Sequence, residues 1–302
     1  MTKRKKRRDG YVIFCYVFLM VLGLVLLYPL FYALFASLST QEAIDANPAW
    51  PAITDVVGGI RNYGVLFTAD GLIFSVLITL ARILLYVVIL LFTSVLGGFV
   101  FAKREFPGKN VLFMAMMIST MIPGVALTVP SYVFNSKFPL VGGNNILGQG
   151  GSGFINNPAL LFVTGWISVY NIFLCRQMIS TQGGELGEAA EIDGAGFLRE
   201  VFLIYFPLLK PVCAVIVLNL AVGMWGDFMT SYVYLPDLPQ WDTLGKKVSD
   251  LMDFYLNPNQ GDGVDIPGAF AVSMVALVPP VILFLFLQKS FIEGLSLGGV
   301  KG

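Results

Sequence analysis

The chain has 302 residues, of which 56% are hydrophobic and only 13% are charged, and its formal net charge is zero. Soluble domains carry roughly 25% charged residues, so too few polar side chains remain here to cover the outside of a water-soluble fold. The composition therefore predicts an all-α integral membrane protein and argues against a soluble enzyme. The chain contains no histidine, which excludes a histidine-based zinc site, a Ser-His-Asp triad and a histidine proton relay.

Six apolar stretches are close to, or longer than, the roughly 20 residues that a helix needs to cross a bilayer. They are continuously apolar rather than alternating, which favours helices over barrel strands. The first stretch is too long for the apolar core of a signal peptide and is predicted to be a retained helix. We therefore expect six transmembrane helices, at about residues 11–38, 72–102, 111–130, 158–175, 208–230 and 267–287.

Basic residues are distributed unevenly among the segments that join these spans. Residues 1–10 form a basic N-terminus, and with that end inside the cell, fourteen of the 19 Lys and Arg residues lie on the cytoplasmic side. This asymmetry follows the positive-inside rule and predicts that both termini are cytoplasmic. Because the basic run directly precedes an apolar span, it is interpreted as a membrane flank, and no nucleic-acid partner is expected.

The cytoplasmic segment 177–210 differs from the other connections between spans. Residues at helical spacing place small and apolar side chains on one face: Leu186, Ala189 and Ala190. The dipeptide Asp193-Gly194 is typical of a turn, because glycine reaches positive φ without steric cost. We predict a helix, a turn and a second helix that ends at Pro207. The pattern fits a helix that docks in a groove of another protein and an interfacial connector without a partner equally well.

Two runs in this segment resemble the EAA loop of binding-protein-dependent ABC importer permeases: Glu188-Ala-Ala-Glu-Ile-Asp-Gly194 and Ile204-Tyr-Phe-Pro207. Further runs, spread along nearly the whole chain, resemble the maltose-type carbohydrate permeases: Phe106-Pro-Gly108, Met121-Ile-Pro-Gly124, Phe173-Leu-Cys-Arg-Gln177, Trp225-Gly-Asp-Phe228 and Leu287-Gln-Lys-Ser-Phe291. The chain has Gly226 where this family often has Asn, which argues against a direct sugar contact at that position.

The resemblance implies a type I ABC importer permease fold, with residues 11–302 as one permease domain in a bacterial cytoplasmic membrane. It implies a subunit that forms half of the pathway for a sugar or oligosaccharide, within the subgroup that handles oligosaccharides and polysaccharides. The implied partners are a second permease subunit, a dimer of cytoplasmic ABC ATPases, an extracytoplasmic solute-binding protein and the lipid bilayer. The run G-x-x-x-x-G-K-[ST] is absent, so ATP and Mg are expected on the ATPase. We expect no catalytic residue, metal site or bound cofactor in this chain.

Two groups of residues are candidates for function. The resemblance implies that the first couples transport to the ATPase: Glu188, Ala189, Ala190, Asp193 and Gly194. The second group consists of polar and aromatic residues at membrane depth, where a charge is costly and where amides and aromatic faces suit a sugar. These candidates for the translocation pathway are Arg82, Tyr170, Asn171, Asn219, Trp225 and Asp227. The alternatives are a snorkelling arginine and an interfacial aromatic belt.

Other functions stay open at this point. The solute could be a non-sugar such as a glycerophosphate. A membrane-embedded enzyme of lipid-linked sugars would need clustered acidic or nucleophilic residues at one membrane face, whereas the acidic residues here are spread along loops. A stand-alone secondary transporter would usually contain inverted repeats, and no clear repeat is present in the sequence.

Overall fold

The computed structural model describes residues 2–53, 56–64, 71–183, 185–259 and 263–298, and these residues contain helices and no strand. The longer helices are α1 (Thr2–Ser37), α2 (Leu72–Lys103), α3 (Lys109–Ser119), α4 (Thr128–Ser136), α5 (Val169–Ser180), α6 (Glu185–Ile192), α7 (Lys210–Trp225), α8 (Leu244–Leu256) and α9 (Ile266–Gly298). Shorter helical segments lie at Gln41–Ala46, Val56–Arg61, Asn62–Gly64, Gly124–Leu127, Leu160–Val163, Phe197–Arg199, Glu200–Tyr205, Phe206–Leu208, Met229–Tyr234 and Pro239–Trp241.

Three helices in the described part of the chain are long and apolar enough to cross a membrane. They are Gly10–Ser37 within α1, the whole of α2, and Ile266–Lys289 within α9. Two bent pairs could each make a further span: α3 with Gly124–Ser136, bent by 94°, and Phe197–Leu208 with α7, bent by 81°. Length and composition therefore support three to five spans, whereas the sequence predicted six.

The predicted span at 158–175 accounts for the difference, because the structure has two helices there instead of one. The first is Leu160–Val163 and the second is α5, which begins at Val169. Between them Thr164 is extended, and Gly165 has a φ of +80°, a left-handed conformation that does not continue a helix. The Ser168 side chain then accepts a hydrogen bond from the Asn171 amide and caps α5. An uninterrupted apolar run therefore does not require an uninterrupted helix.

The predicted span at 111–130 is also interrupted, at Pro123. This residue is extended, with φ −59° and ψ 132°, and it separates α3 from the next helical segment. Proline lacks a backbone donor and disfavours the helical conformation of the residue before it. By contrast, Pro29 and the pair Pro279-Pro280 lie inside continuous helices. The Pro-Gly dipeptide at 123–124 combines two residues that disfavour helix interiors, which explains why the chain bends here.

The chain divides into two compact units, and the first consists of residues 1–70 and 248–277. In this unit the segment after α1 folds back on the end of that helix. The Asn62 amide donates hydrogen bonds to the carbonyls of Ser37 at 2.9 Å and Ser39 at 3.2 Å. The start of α9 is capped by Asp265, whose carboxylate accepts from the Gly268 amide at 2.9 Å.

The second unit consists of residues 71–247 and 278–302, and α2 is its central helix. This helix packs against α5 and α7. A Cβ atom at Gly98 would lie 2.4 Å from the Cβ of Cys175, so the two backbones approach as closely as a glycine allows. The buried core contains residues from both the predicted spans and the segment 177–210: Val95, Phe99, Cys175, Ile179, Val201, Tyr205, Leu209, Cys213 and Ile216.

Candidate functional site

A buried ion pair joins the second predicted span to the fifth. The Arg82 Nη1 atom lies 2.8 Å from the Asp227 Oδ2 atom, and the two side chains are 7% and 18% exposed. Arg82 Nε also donates to the Leu161 carbonyl at 3.0 Å, and Asp227 Oδ1 accepts from the Thr230 amide at 3.1 Å. The arginine therefore does not snorkel to an interface. Its charge is compensated inside the protein, as a charge at membrane depth requires.

A cavity of about 370 Å³ lies beside this pair. Leucines and a methionine form its apolar walls, and its polar lining beside Arg82 comprises Tyr86, Ser131, Asn135, Thr164, Thr230 and Tyr234. Small-molecule sites usually have volumes of roughly 300–1,000 Å³, with mostly apolar walls and a few placed polar groups. The size and lining of this cavity match that description.

The ring positions in the cavity are constrained by their neighbours. Tyr86 Oη donates to the Thr164 carbonyl, which holds the ring against the break before α5. The ring of Tyr234 stacks on that of Tyr132, with centroids 6.2 Å apart and an interplanar angle of 21°. Two walls of the cavity are therefore aromatic faces of defined orientation.

The structure brings together only two of the six predicted pathway residues, Arg82 and Asp227. Arg82 lines the cavity, whereas Asp227 and the other four do not: Tyr170, Asn171, Asn219 and Trp225. Tyr170 is 51% exposed and Asn219 is exposed, whereas Asn171 and Trp225 are buried. Their roles in the pathway stay predictions.

Sequence reasoning missed the remaining polar groups of the cavity. Asn135 lies in the helix after the bend at Pro123, and Thr230 and Tyr234 lie in the short helix after Asp227. An amide next to an apolar run and a hydroxyl three residues after an acidic residue are weak signals. Only the folded structure shows that these side chains line one cavity, because the bend and the short helix bring them together.

The segment 177–210 forms the predicted helix and turn. At the end of α6, the Ala195 amide donates to the Ala190 carbonyl at 2.9 Å, and Gly194 has a φ of +69°. This hydrogen bond across six residues around a left-handed glycine is the Schellman motif. The glycine is needed at this position because a side chain there would strain the backbone. The second stretch continues through Pro207 to Leu208 rather than ending at the proline.

The predicted coupling residues do not all lie on one exposed face. Glu188, Ala189, Asp193 and Gly194 are exposed, whereas Ala190 is only 5% exposed and packs inward. Ile192 is 86% exposed, although it is among the most apolar residues of the helix. The sequence analysis missed Ile192, whose apolar character next to a turn was the available signal. The segment thus has an uncovered surface that combines a carboxylate with small and apolar groups.

Two basic residues at the end of α2, Lys103 and Arg104, contact the segment 177–210; we call them the basic clamp. Arg104 Nη2 lies 2.7 Å from Glu200 Oε2, with the two side chains 49% and 12% exposed. The guanidinium also lies 5.3 Å from the ring centroid of Phe99 and 5.6 Å from that of Phe197. Lys103 Nζ donates to the Gln182 carbonyl at 3.2 Å. The clamp therefore joins one transmembrane helix to both ends of the segment.

The described residues contain no group of three or more His, Cys, Asp or Glu side chains that could hold a metal ion. The chemistry that the two sites offer is noncovalent: hydrogen bonding and ring contacts in the cavity, and surface complementarity at α6.

Comparisons with known proteins identify the family of the chain. The family described as "Binding-protein-dependent transport system inner membrane component" matches residues 94–296. The arabinooligosaccharides transport system permease protein AraQ of Bacillus subtilis (strain 168) is 28% identical over 303 residues, covering 100% of both chains. The melibiose/raffinose/stachyose import permease protein MelC of the same organism is 34% identical over 210 residues, covering 68% of each chain.

The fold is also found among solved structures. A bacterial ABC transporter involved in the import of the acidic polysaccharide alginate contains a chain that matches with a TM-score of 0.74 at 21% identity. The match covers 94% of this chain and 97% of that chain. The helices thus adopt the type I ABC permease fold, and the family consists of permeases rather than enzymes. The chain belongs to the family of binding-protein-dependent transport system inner membrane components.

Proposed function

We propose that this chain is a permease subunit of an ATP-driven importer and forms half of the pathway for a sugar or oligosaccharide. An extracytoplasmic solute-binding protein would deliver the solute. The observation that carries this proposal is the similarity over 100% of the chain to a permease of arabinooligosaccharides. The similarity to a permease of melibiose, raffinose and stachyose supports the same class of solute.

The proposed location is the cytoplasmic membrane of a bacterium, with six spans and both termini in the cytoplasm. The apolar helices support membrane insertion, and the excess of Lys and Arg in alternate connections supports this orientation. In this topology the two helices on either side of residues 164–168 together complete the fourth crossing.

We further propose that α6 seats in a cytoplasmic ATPase, which would bind ATP and Mg. The exposed Glu188 would pair with a basic or donor group there. Ala189 would allow close approach, and Ile192 would fill an apolar hollow. The inward-facing Ala190 would act as a spacer, and Gly194 would set the exit angle of the helix. A second permease subunit would complete the membrane part of the complex.

The contacts of the second half of the segment support mechanical coupling. Val201, Tyr205 and Leu209 are almost completely buried in the core that includes α2, α5 and α7. A displacement of α6 would therefore be transmitted to this packed core through the turn at Gly194 and through the basic clamp. Closure of the ATPase dimer could then drive a rigid-body movement of the helices between inward-open and outward-open states.

The proposal is tested by isolating the complex through a tag on this chain and reconstituting it in proteoliposomes with its binding protein. We expect an ATPase and a second permease to co-purify, and sugar uptake to require ATP. Complexes with Glu188→Ala should hydrolyse ATP but take up little sugar. The same result is expected for the double variant that combines Glu188→Ala with Gly194→Val. Asp253→Ala changes an exposed carboxylate outside the segment and is the matched control. Uptake of a glycerophosphate instead of a sugar, or uptake without nucleotide, would contradict the proposal.

A further inference from the structure

We propose that the cavity beside Arg82 is a subsite for a neutral sugar within this chain, occupied during transport. The inference rests on the proposed function and adds the charge class of the solute. It also places a binding site among the helices of this subunit alone, since all the lining residues belong to the second compact unit.

The charge of the cavity is the first argument. Arg82 is the one residue of the described lining with a formal charge at neutral pH, and Asp227 compensates it at 2.8 Å. A neutral sugar would enter without disturbing this balance. A uronic acid would bring an uncompensated carboxylate into a largely buried site, which is unfavourable because the carboxylate loses its hydration without gaining a free cation.

An unsatisfied acceptor is the second argument. Asn135 is 8% exposed, and its Nδ2 atom donates to the Ser131 carbonyl at 2.9 Å. Its Oδ1 atom is buried and has no hydrogen-bond partner among the described residues. A buried acceptor without a partner is costly, and a hydroxyl group is a donor that can satisfy it. Sugars carry such hydroxyls around the whole ring.

The walls provide the third argument. The rings of Tyr86 and Tyr234 are held by their own contacts, so they present fixed apolar faces to the C–H surface of a sugar ring. Ser131, Thr164 and Thr230 add hydroxyls that can both donate and accept. The volume of about 370 Å³ lies at the lower end for small-molecule sites, which suits a short stretch of an oligosaccharide.

The test uses the complete transporter in proteoliposomes with its binding protein. The probes are raffinose and arabinotriose as neutral sugars and trigalacturonate as the acidic one. Ser131→Leu fills the cavity, and Thr230→Val removes a lining hydroxyl while keeping the side-chain shape. Ser119→Leu is the matched control, because Ser119 is exposed and lies outside the cavity. Thermal unfolding of each purified complex checks that the variants fold.

We expect wild-type uptake of a neutral probe and not of trigalacturonate. Ser131→Leu should lower the uptake rate at least about tenfold, and Thr230→Val about threefold to tenfold, the factor for one neutral hydrogen bond. The uptake rate of the Ser119→Leu complex should stay within about twofold of the wild-type rate. If the complex with Ser131→Leu does not assemble, the uptake rate of the Thr230→Val complex tests the inference. Unchanged uptake in the folded cavity variants, or preferred uptake of trigalacturonate, overturns the inference. Wild-type uptake of no sugar at all overturns the proposed function, and the inference with it.

Discussion

Replacing Arg82 with Met should strongly destabilise the protein. Arg82 holds Asp227 at 2.8 Å and the Leu161 carbonyl at 3.0 Å, and the two charged side chains are only 7% and 18% exposed. Without the guanidinium, the carboxylate stays largely buried with no opposite charge. Breaking a buried pair in this way typically costs about 3–5 kcal/mol. Replacing both partners, as in Arg82→Met with Asp227→Leu, should restore most of the loss, because no unpaired charge is left.

The stability of these variants can be measured with a thiol-reactive fluorophore during a thermal ramp. The thiols of Cys175 and Cys213 are buried in the core and become reactive only when the helices separate. For a chain of this size, 1 kcal/mol corresponds to roughly 2–4 °C in Tm, so Arg82→Met should lower Tm by roughly 6–20 °C. The control is Arg61→Met, at an exposed arginine, with a shift below about 2 °C.

Two results would refute the reasoning. Arg82→Met with the Tm of the wild type would show that the buried pair contributes no stability. A double variant as unstable as the single one would show that the loss does not come from an unpaired carboxylate.

Further predictions concern the core and the clamp. Arg104→Gln removes an ion pair and two ring contacts, worth about 1–2 kcal/mol at this exposure, so the amount of sugar taken up per ATP hydrolysed should fall. Glu200→Gln should lower this ratio less, and an unchanged ratio in Arg104→Gln would count against the clamp. Gly98→Ala puts a Cβ 2.4 Å from a side-chain atom of α5 and should cost about 1–3 kcal/mol in thermal unfolding. Gly23→Ala, in open space within α1, should be neutral or slightly stabilising, because alanine favours a helix interior more than glycine does. Tyr205→Phe removes a buried hydroxyl without a hydrogen-bond partner among the described residues, so Tm should stay constant or rise; a fall above about 3 °C would contradict this.

The class of protein to which the chain belongs could be predicted largely from its amino-acid sequence. Low charge and long apolar runs indicated a helical membrane protein, and the Glu188-to-Gly194 pattern, with the other motifs along the chain, resembled the permeases of binding-protein-dependent ABC importers. These features are properties of composition and spacing, which do not depend on what each residue contacts. The turn at Gly194 was predictable for the same reason, since only the local backbone requires a glycine there.

The breaks within the spans were harder to predict. Apolar length indicates where a helix can cross a membrane, but it does not show where the chain leaves the helix. At Pro123 and Gly165 the backbone is extended or left-handed within runs that remain apolar. Hydropathy does not record these breaks, because they depend on the backbone conformations that proline and glycine favour.

The sequence by itself determined that this chain is a helical membrane protein, because composition and hydrophobic periodicity do not depend on tertiary contacts, and its motifs resemble those of the permease family. Only the tertiary structure decided which polar groups meet. Arg82 and Asp227 are 145 residues apart in sequence and form one ion pair, while Ala190 faces inward next to an exposed Ala189. Such pairings depend on how helices pack against one another, and packing is settled by the shapes and charges of distant side chains together.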